Sequence, residues 1–314
     1  MSGRRFSHGQ AVWLMVLVTL LWSLAGVVSR QLEAARSFEV TFWRSLTTAV
    51  SLLVLLPLWR GRQVFAAMPW RSKSFWLSGV CWSVMFTAFM VALTLTTVGK
   101  VLITMAAGPL FTALMARFVN QQRLPRRTWL AVFAAGVGIA YMFGSQWRLG
   151  EDEGLLGSLV ALLVPIAGAV NWTVVQRARS RDIPLDLVPA VLLGAVISAL
   201  ATGPLAWPFV ASGSDIAWLS FLGLFQLAIP CTLSVLCARH LLAPEISLLG
   251  LLEVVFGILL VWLLAGEAPR SSTLIGGSLV MGALLVNEWL GWRSRQGVRP
   301  AGSTATSGQT ISTD

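Results

Sequence analysis

Two charged side chains lie deep inside long apolar segments of this sequence. A charge at the centre of a membrane helix costs about 2.5–3.5 kcal/mol, so each one calls for a partner or a function. Glu253 lies eight residues, roughly 12 Å, into its apolar segment, and Arg44 lies six residues, roughly 9 Å, into another. A carboxylate at that depth binds a cationic or amino group or takes up a proton, and a guanidinium binds a carboxylate. Structural roles stay open for both: Glu253 can cap a broken helix, and Arg44 can brace carbonyl groups or reach outward to the interface.

Aromatic side chains form a second group of candidates. Trp22, Trp82 and Trp172 lie deeper in apolar segments than the other tryptophans, and Asn171 neighbours the last of them. Aromatic walls suit a flat or amphipathic ligand and stack on cations, although ordinary helix packing explains them as well. Lys100 begins another apolar segment, where an amine that reaches the interface is ordinary, and a contact with the substrate is the alternative.

Prolines inside the apolar segments predict kinks. Pro109 and Pro165 lie at similar mid-span depths, where kinks loosen a helix bundle at the place a cavity needs, and Pro230 is the third predicted kink. Gln226 lies four residues before Pro230, whose missing N–H frees a carbonyl that the amide can bind. Helix repair and substrate binding therefore both remain open for Gln226.

The sequence argues against a metal centre, a cofactor or an enzyme. The two histidines are His8 and His240, and both precede or connect apolar segments rather than lying inside them. Cysteines 81, 231 and 237 have spacings that match neither a zinc site nor a disulfide framework, which predicts lipid-facing or core-facing thiols. A membrane-embedded enzyme, which needs a nucleophile and base inside the bundle, nevertheless stays open as an alternative function. A third possibility is a non-transporting membrane subunit.

Composition places the candidates in a membrane protein. Hydrophobic residues make up 56% of the 314 residues and charged residues only 11%, with a mean hydropathy of +0.76. Apolar runs long enough to cross a hydrocarbon core of about 30 Å, which takes about 20 helical residues, recur along the chain. We predict ten transmembrane helices at 11–29, 38–58, 75–95, 101–118, 128–144, 154–175, 185–206, 215–237, 245–265 and 272–292.

The basic residues indicate an orientation. With both termini in the cytoplasm, 17 Arg and Lys residues fall on the inner side and five on the outer side, as the positive-inside rule requires. The net charge of +10 therefore reflects topology, and no nucleic-acid partner is expected. Many of the 15 tryptophans lie near span ends, where tryptophan anchors helices at the interface. These patterns predict a multi-pass protein of the bacterial inner membrane.

The chain contains an internal repeat. An offset of 144 residues places Pro109 on Glu253, Pro125 on Pro269 and Gly138 on Gly282, and a slightly different offset places Trp22 on Trp172. The predicted units are a cytoplasmic tail (1–10), a first five-helix repeat (11–144), a periplasmic linker (145–153), a second five-helix repeat (154–292) and a disordered cytoplasmic tail (293–314). Because each half has an odd number of spans, the repeats have inverted topology, which suits a site near the midplane that opens alternately to each side.

Three stretches carry a resemblance to a known family. GPLFTALMARFVNQQRLPRRTWLAVFAAGVGIAYM (108–142) and LLEVVFGILLVWLLAGEAPRSSTLIGGSLVMGALLVNE (251–288) resemble the two repeats of EamA-type members of the drug/metabolite transporter superfamily. TLLWSLAGVVSR (19–30), followed by Phe42-Trp43-Arg44, resembles the start of the first repeat. The resemblance implies ten helices and the transport of amino acids, metabolites or drugs. The chain departs from the family pattern at Arg123, where a Glu is frequent, and at Lys100, where an apolar residue is usual.

These observations favour a secondary transporter. The sequence contains no GxxxxGK[ST] loop to bind ATP, so a gradient is expected to drive transport or the solute to move down its own gradient. Topology and resemblance together favour export. The expected partners are a small-molecule substrate and membrane lipid, and the expected oligomeric state is a monomer or a homodimer.

Overall fold

The protein is all-helical wherever the structure describes it. The computed structural model describes residues 7–28, 31–35, 37–96, 98–143, 155–179, 185–265 and 271–296. Every regular element in these ranges is helical, which confirms the predicted all-helical class.

Fourteen α-helices are present in the described ranges, and they fall in the ten apolar segments that the sequence predicts. They are α1 (His8–Trp22), α2 (Leu24–Val28), α3 (Ser37–Arg60), α4 (Lys73–Leu95), α5 (Val98–Met105), α6 (Gly108–Phe118), α7 (Arg126–Phe143), α8 (Leu155–Arg179), α9 (Ala190–Ala206), α10 (Gly213–Phe221), α11 (Ile229–Cys237), α12 (Ala243–Gly250), α13 (Leu252–Ala265) and α14 (Ser271–Gln296). A π-helical segment, Leu222–Ala228, joins α10 to α11, and a short 3-10 turn, Arg62–Val64, follows α3.

Five helical stretches in the described residues are long and apolar enough to cross a membrane. They are Phe38–Arg60, Lys73–Leu95, Leu156–Ala178, Gly213–Cys237 and Ala243–Leu264. Shorter apolar helices cover His8–Trp22, Ala190–Ala206 and Leu274–Asn287. Large apolar side chains also cover the outside of the bundle, including Leu130, Phe133, Leu200, Leu263 and Leu285, each more than half exposed. An apolar exterior of this extent is typical of a protein surrounded by lipid.

Most helix starts differ from the predicted bounds by a few residues, and two of them have a clear local cause. α1 begins at His8 rather than at residue 11, because Ser7 and Gln10 form a capping box that satisfies the first backbone N–H groups. α9 begins at Ala190 rather than at residue 185, although Leu187 and Val188 are buried and apolar. The Asp186 carboxylate accepts a hydrogen bond from the Val188 N–H, so the chain turns here before the helix begins.

The boundary at the C-terminal end of the last helix differs as well. α14 continues to Gln296, so residues 293–296 belong to this helix and not to the predicted tail. The rest of the tail, and the predicted linker at 145–153, lie outside the described residues.

Several of the helical stretches are interrupted within their length. The first breaks at Ser23 between α1 and α2, and the fourth breaks at Ala106 and Ala107 between α5 and α6. The ninth breaks at Leu251 between α12 and α13. The sequence offset of 144 residues pairs Ala107 with Leu251, so two of these breaks occupy equivalent positions in the two halves of the chain.

The two halves of the chain pack mainly against each other. α4 packs on α8 and α9, α3 on α9, α1 on α11, α6 on α12, and α7 on α14. The crossing of α4 and α9 is very close: a Cβ atom on Gly194 would lie 2.4 Å from the Trp82 Cβ and 2.8 Å from the Gly79 carbonyl oxygen. Glycine is therefore required at 194 for these helices to meet.

Two buried carboxylates, Glu39 and Asp215, join the halves at the end of the bundle opposite the start of α1; we call this pair the clasp. Glu39 accepts hydrogen bonds from the backbone N–H groups of Val210 (3.1 Å) and Ala211 (2.8 Å) and from the Trp43 indole (3.3 Å). Asp215 accepts from four backbone N–H groups at 2.9–3.2 Å, those of residues 33, 34, 35 and 212. Each carboxylate thus binds a loop of the other half.

Ion pairs join the halves at the opposite end, where α1 begins. Asp186 contacts both Arg60 and Arg239. His8 lies 3.3 Å from Glu245, which places the start of α1 against the start of α12. Contacts at both ends leave the middle of the bundle as the place for a cavity.

Candidate functional site

A cavity of about 180 Å³ lies inside the bundle. Residues of α1, α3, α4, α5, α6, α8, α11, α12 and α13 and of the π-helical segment line it. Both halves of the chain therefore contribute to its wall.

The cavity lies at the two equivalent helix breaks. Met105 at the end of α5 and Gly108 at the start of α6 line it from the first half, and Gly250 and Leu251 line it from the second. The first N–H groups and last C=O groups of a helix lack intrahelical partners, so a break supplies backbone polar groups in an otherwise apolar interior. Such groups attract polar ligands.

Arg44 projects from α3 into this cavity and is only 2% exposed. Its Nη1 donates to the thioether sulfur of Met90 at 3.3 Å, and its buried Nε has no hydrogen-bond partner. A thioether is a weak acceptor, so the guanidinium is poorly satisfied for so buried a group. The burial excludes the alternative in which Arg44 reaches out to the interface.

The π-helical segment shapes the wall beside Arg44. Pro230, which lacks an N–H, is the second residue of α11, and the Ile229 N–H directly before it donates to the Leu224 carbonyl five residues earlier. A Cβ atom on Gly223 would lie 2.8 Å from the Arg44 carbonyl oxygen, so glycine allows the segment to approach α3. π-Helical bulges occur frequently at functional sites.

Gln226 lies in the same segment and lines the cavity. Its Nε2 donates to the Trp22 carbonyl over a long distance of 3.5 Å, and its buried Oε1 has no partner. The Gln226 amide thus binds a carbonyl of another helix, at the end of α1, instead of the carbonyl that Pro230 frees in its own helix. Gln226 is therefore a cavity-lining residue with a buried acceptor that no described group satisfies.

Glu253 lies in the first turn of α13, directly after the break at Leu251, and is half-buried in the cavity wall. A carboxylate at a helix N-terminus is favoured by the helix dipole. Arg44 and Glu253 are near enough to interact electrostatically, but no salt bridge within 4.0 Å joins them in the described residues. The cavity therefore carries one charge of each sign, held apart.

Aromatic rings form the facing wall. Trp82 on α4 and Trp172 on α8 meet edge to face with ring centroids 5.7 Å apart, and Phe86 lies 5.6 Å from Trp82. Trp22, at the end of α1, lines the cavity as well. The Trp82 Nε1 is buried without a hydrogen-bond partner, which adds a second unsatisfied donor to that of Arg44.

The remaining predicted site residues lie elsewhere. Asn171 is fully buried but is not part of the cavity lining; its Oδ1 accepts from the Ser78 hydroxyl at 2.7 Å, across the α4–α8 contact. Successive helical residues point about 100° apart, so Trp172 faces the cavity while Asn171 does not. Lys100 belongs to α5, and its side chain lies outside the described part of the structure.

The three prolines occupy different settings. Pro165 lies inside the continuous helix α8 and lines the cavity. Pro109 lies in the first turn of α6, just after a break, and Pro230 follows the π-helical segment. A proline in the first turn loses no intrahelical hydrogen bond, so Pro109 marks the start of a new helix rather than a kink within one.

Sequence reasoning missed some of the cavity wall. Cys231 lines the cavity, whereas the sequence pattern treats all three cysteines as fillers that face lipid or core; all three are buried. Met85, Met105 and Ser247 also line it. These residue types are ordinary in apolar helices, so no pattern in one sequence separates a cavity-lining thiol or thioether from a packed one.

Comparisons with known proteins agree with this architecture. A solved crystal structure matches with a TM-score of 0.72 and 22% sequence identity, covering 91% of this chain and 99% of that chain; at this identity the likeness shows the fold. A search among curated proteins found no match. The model of the EamA-like transporter family matches residues 9–144 and again residues 155–288, which include every cavity residue described above. The chain therefore belongs to the EamA-like transporter family and is a multi-pass membrane protein.

Proposed function

We propose that this protein is a secondary transporter that exports small metabolites, amino acids or drugs across the bacterial inner membrane by alternating access. The observation that carries this proposal is the cavity, which both halves of the chain enclose at their two equivalent helix breaks. Transporters built from repeats typically bind their substrates between discontinuous helices near the midplane. Family membership supports transport rather than catalysis.

The contacts between helices support ten spans in two inverted five-helix repeats. Under that arrangement the packing of α4 on α8 has a symmetric counterpart in the packing of α11 on α1, and both contacts are present. The packing of α6 on α8 likewise has its counterpart in α13 on α1. The pairs α7–α14 and α3–α9 would each map onto themselves. The two family-model matches also divide the chain at the same place.

Polar contacts at both ends support alternating access. The clasp joins the halves at one end, and the Asp186–Arg60 ion pair joins them at the other. Each set of contacts is small and polar, so one can break while the other holds. The excess of basic residues on one side supports cytoplasmic termini.

Flux measurements in proteoliposomes test the proposal. Labelled amino acids and cationic drugs are offered to the purified protein, with and without a pH gradient, beside Glu253→Gln. We expect saturable flux of at least one compound that falls in Glu253→Gln. The matched control is Arg62→Gln, whose side chain is exposed outside the cavity, and its flux should equal that of the parent. A folded protein that moves none of the compounds would contradict the proposal.

A further inference from the structure

We propose that the cavity selects a small zwitterion, a molecule that carries an anionic group for Arg44 and an ammonium group for Glu253, and discriminates against analogues with one charge. This inference rests on the transport function proposed above and names the substrate class of the same site. Four polar groups on the cavity wall carry it: two donors, Arg44 and Trp82, and two acceptors, Glu253 and Gln226.

The anion subsite is the Arg44 guanidinium. This side chain is 2% exposed, its Nε has no partner, and its Nη1 has only the Met90 sulfur. A guanidinium presents five N–H donors in a planar fork that matches a carboxylate. A buried guanidinium that has no carboxylate partner among the described residues fits a carboxylate brought by the ligand.

The cation subsite is the Glu253 carboxylate. It faces the same cavity, has no salt bridge in the described residues and lies in the first turn of α13. An ammonium bound here is also near the Trp22, Trp82 and Trp172 rings, whose faces attract cations. If Arg44 and Glu253 paired directly, the protein would satisfy both charges by itself, but the two are held more than 4.0 Å apart.

The opposite charges explain the discrimination. An anion that neutralises Arg44 leaves Glu253 buried without a counterion, and a cation leaves Arg44 in the same position. A zwitterion satisfies both at once and adds no net charge to the cavity. The unsatisfied Trp82 N–H adds a neutral donor for the anionic group, and the unsatisfied Gln226 Oε1 adds a neutral acceptor for the ammonium group. A volume of about 180 Å³ restricts the ligand to a compact molecule.

Matched ligand series test the inference through thermal stabilisation of the full-length protein in detergent. The series are alanine, ethylamine and propionate; leucine, 3-methylbutylamine and 4-methylpentanoate; and phenylalanine, phenethylamine and 3-phenylpropionate. Each series keeps one apolar body and varies only the charges. We expect at least one zwitterion to raise the denaturation midpoint, and its amine and acid analogues to bind at least about tenfold more weakly, a difference of about 1.4 kcal/mol.

Charge variants should change which ligand of a series binds best, and a purely structural role for Arg44 or Glu253 would not change that order. Arg44→Gln should lose zwitterion binding and gain preference for the amine of the series, whereas Glu253→Gln should gain preference for the acid. Arg44→Lys keeps the charge and should retain the parent order of ligands, which covers the case in which Arg44→Gln does not fold. Arg62→Gln, exposed and outside the cavity, should leave the order unchanged.

The outcomes separate this inference from the proposed function. Stabilisation by single-charge analogues equal to that by the zwitterion, or stabilisation by no zwitterion in any series, would overturn the zwitterion inference. Flux of a single-charge compound in proteoliposomes would leave transport standing while the inference fell. Zwitterion binding with the predicted charge preferences but no flux would support the inference and contradict transport.

Discussion

Two regions of this molecule bury charged side chains and treat them in opposite ways. In the clasp, Glu39 and Asp215 are fully buried, and three or four N–H groups donate to each carboxylate. In the cavity, Arg44 has a thioether as its hydrogen-bond partner, and Glu253 has no salt bridge in the described residues. A buried charge that the protein satisfies stabilises the fold, and one that it leaves unsatisfied is available to a ligand.

The difference follows from the local backbone. The clasp carboxylates meet loops whose N–H groups lack secondary-structure partners, and they supply the missing acceptors. Arg44 and Glu253 project instead into a space bounded by aromatic rings and helix breaks, where few protein groups reach them. Variants of the clasp and variants of the cavity should therefore differ in their effects on stability and on transport.

The largest expected effect is the loss of stability in Asp215→Ala. Four backbone N–H groups lose their acceptor but lie in exposed or half-buried residues where water can replace it, so at about 0.5–1.5 kcal/mol for each hydrogen bond the expected loss is about 2–6 kcal/mol. In thermal denaturation in detergent, Asp215→Ala should have a lower midpoint than the cavity variants and the Gly194 variant. Asp215→Asn, which keeps one carbonyl oxygen, should fall between Asp215→Ala and the parent, and an unchanged midpoint in Asp215→Ala would remove the structural role of the clasp.

The double variant Arg44→Gln/Glu253→Gln, unlike Asp215→Ala, should not lower the thermal midpoint. Removing both charges together leaves neither unpaired, so we expect a midpoint equal to or above that of the parent. Charged hydrogen bonds to a ligand contribute about 1.5–3 kcal/mol each, so transport should fall at least about a hundredfold. Counterflow in proteoliposomes measures transport, and a double variant that is unstable yet active when folded would show that the cavity charges are structural.

Overpacking of the α4–α9 crossing should produce a smaller loss. A methyl group at residue 194 would overlap the Trp82 side chain and the Gly79 carbonyl, so Gly194→Ala should cost about 1–3 kcal/mol and displace a cavity wall. Gly136→Ala and Gly282→Ala are matched controls, since both glycines are helical and have no atom within 4 Å of the added Cβ. Both controls should keep or raise the midpoint. An equal response in all three variants would contradict the close approach.

The sequence predicts the helices and the charged core of the site because both depend on local chemistry. Glu253 and Arg44 are conspicuous because charges are rare in apolar segments. The family that the sequence resembles is also the family whose model matches the chain. Glu39 and Asp215 escape notice because they lie near segment ends, where acidic residues are common, although the Ser212–Asp215 spacing is that of a capping box. The break at Leu251 leaves no mark in hydropathy, so Glu253 is expected within a continuous helix and is found at the start of one.

The rest of the site depends on tertiary contacts that a single chain pattern does not carry. Asn171 lies one residue from the cavity-lining Trp172 but turns toward Ser78 on α4. Gln226 contacts the carbonyl of Trp22, 204 positions earlier in the chain. Both outcomes depend on how helices are rotated against their neighbours, and a shift of one residue, about 100° of rotation, is enough to move a side chain out of the cavity.

The smallest expected effect separates shape from hydrogen bonding on the aromatic wall. Trp82→Phe keeps an aromatic ring beside Trp172 and removes the buried N–H that has no partner among the described residues. If that N–H only packs, its loss relieves an unsatisfied donor, and both the midpoint and ligand affinity should stay at or above those of the parent. If it donates to the ligand, affinity should fall about threefold to tenfold, the range for a hydrogen bond of about 0.5–1.5 kcal/mol, without a fall in the midpoint of the ligand-free protein. We expect the second result, with Phe86→Leu as the control for lost aromatic contact, because Phe86 adjoins the same ring but has no polar atom. Equal affinities in Trp82→Phe and the parent would reduce the polar site to Arg44, Glu253 and Gln226.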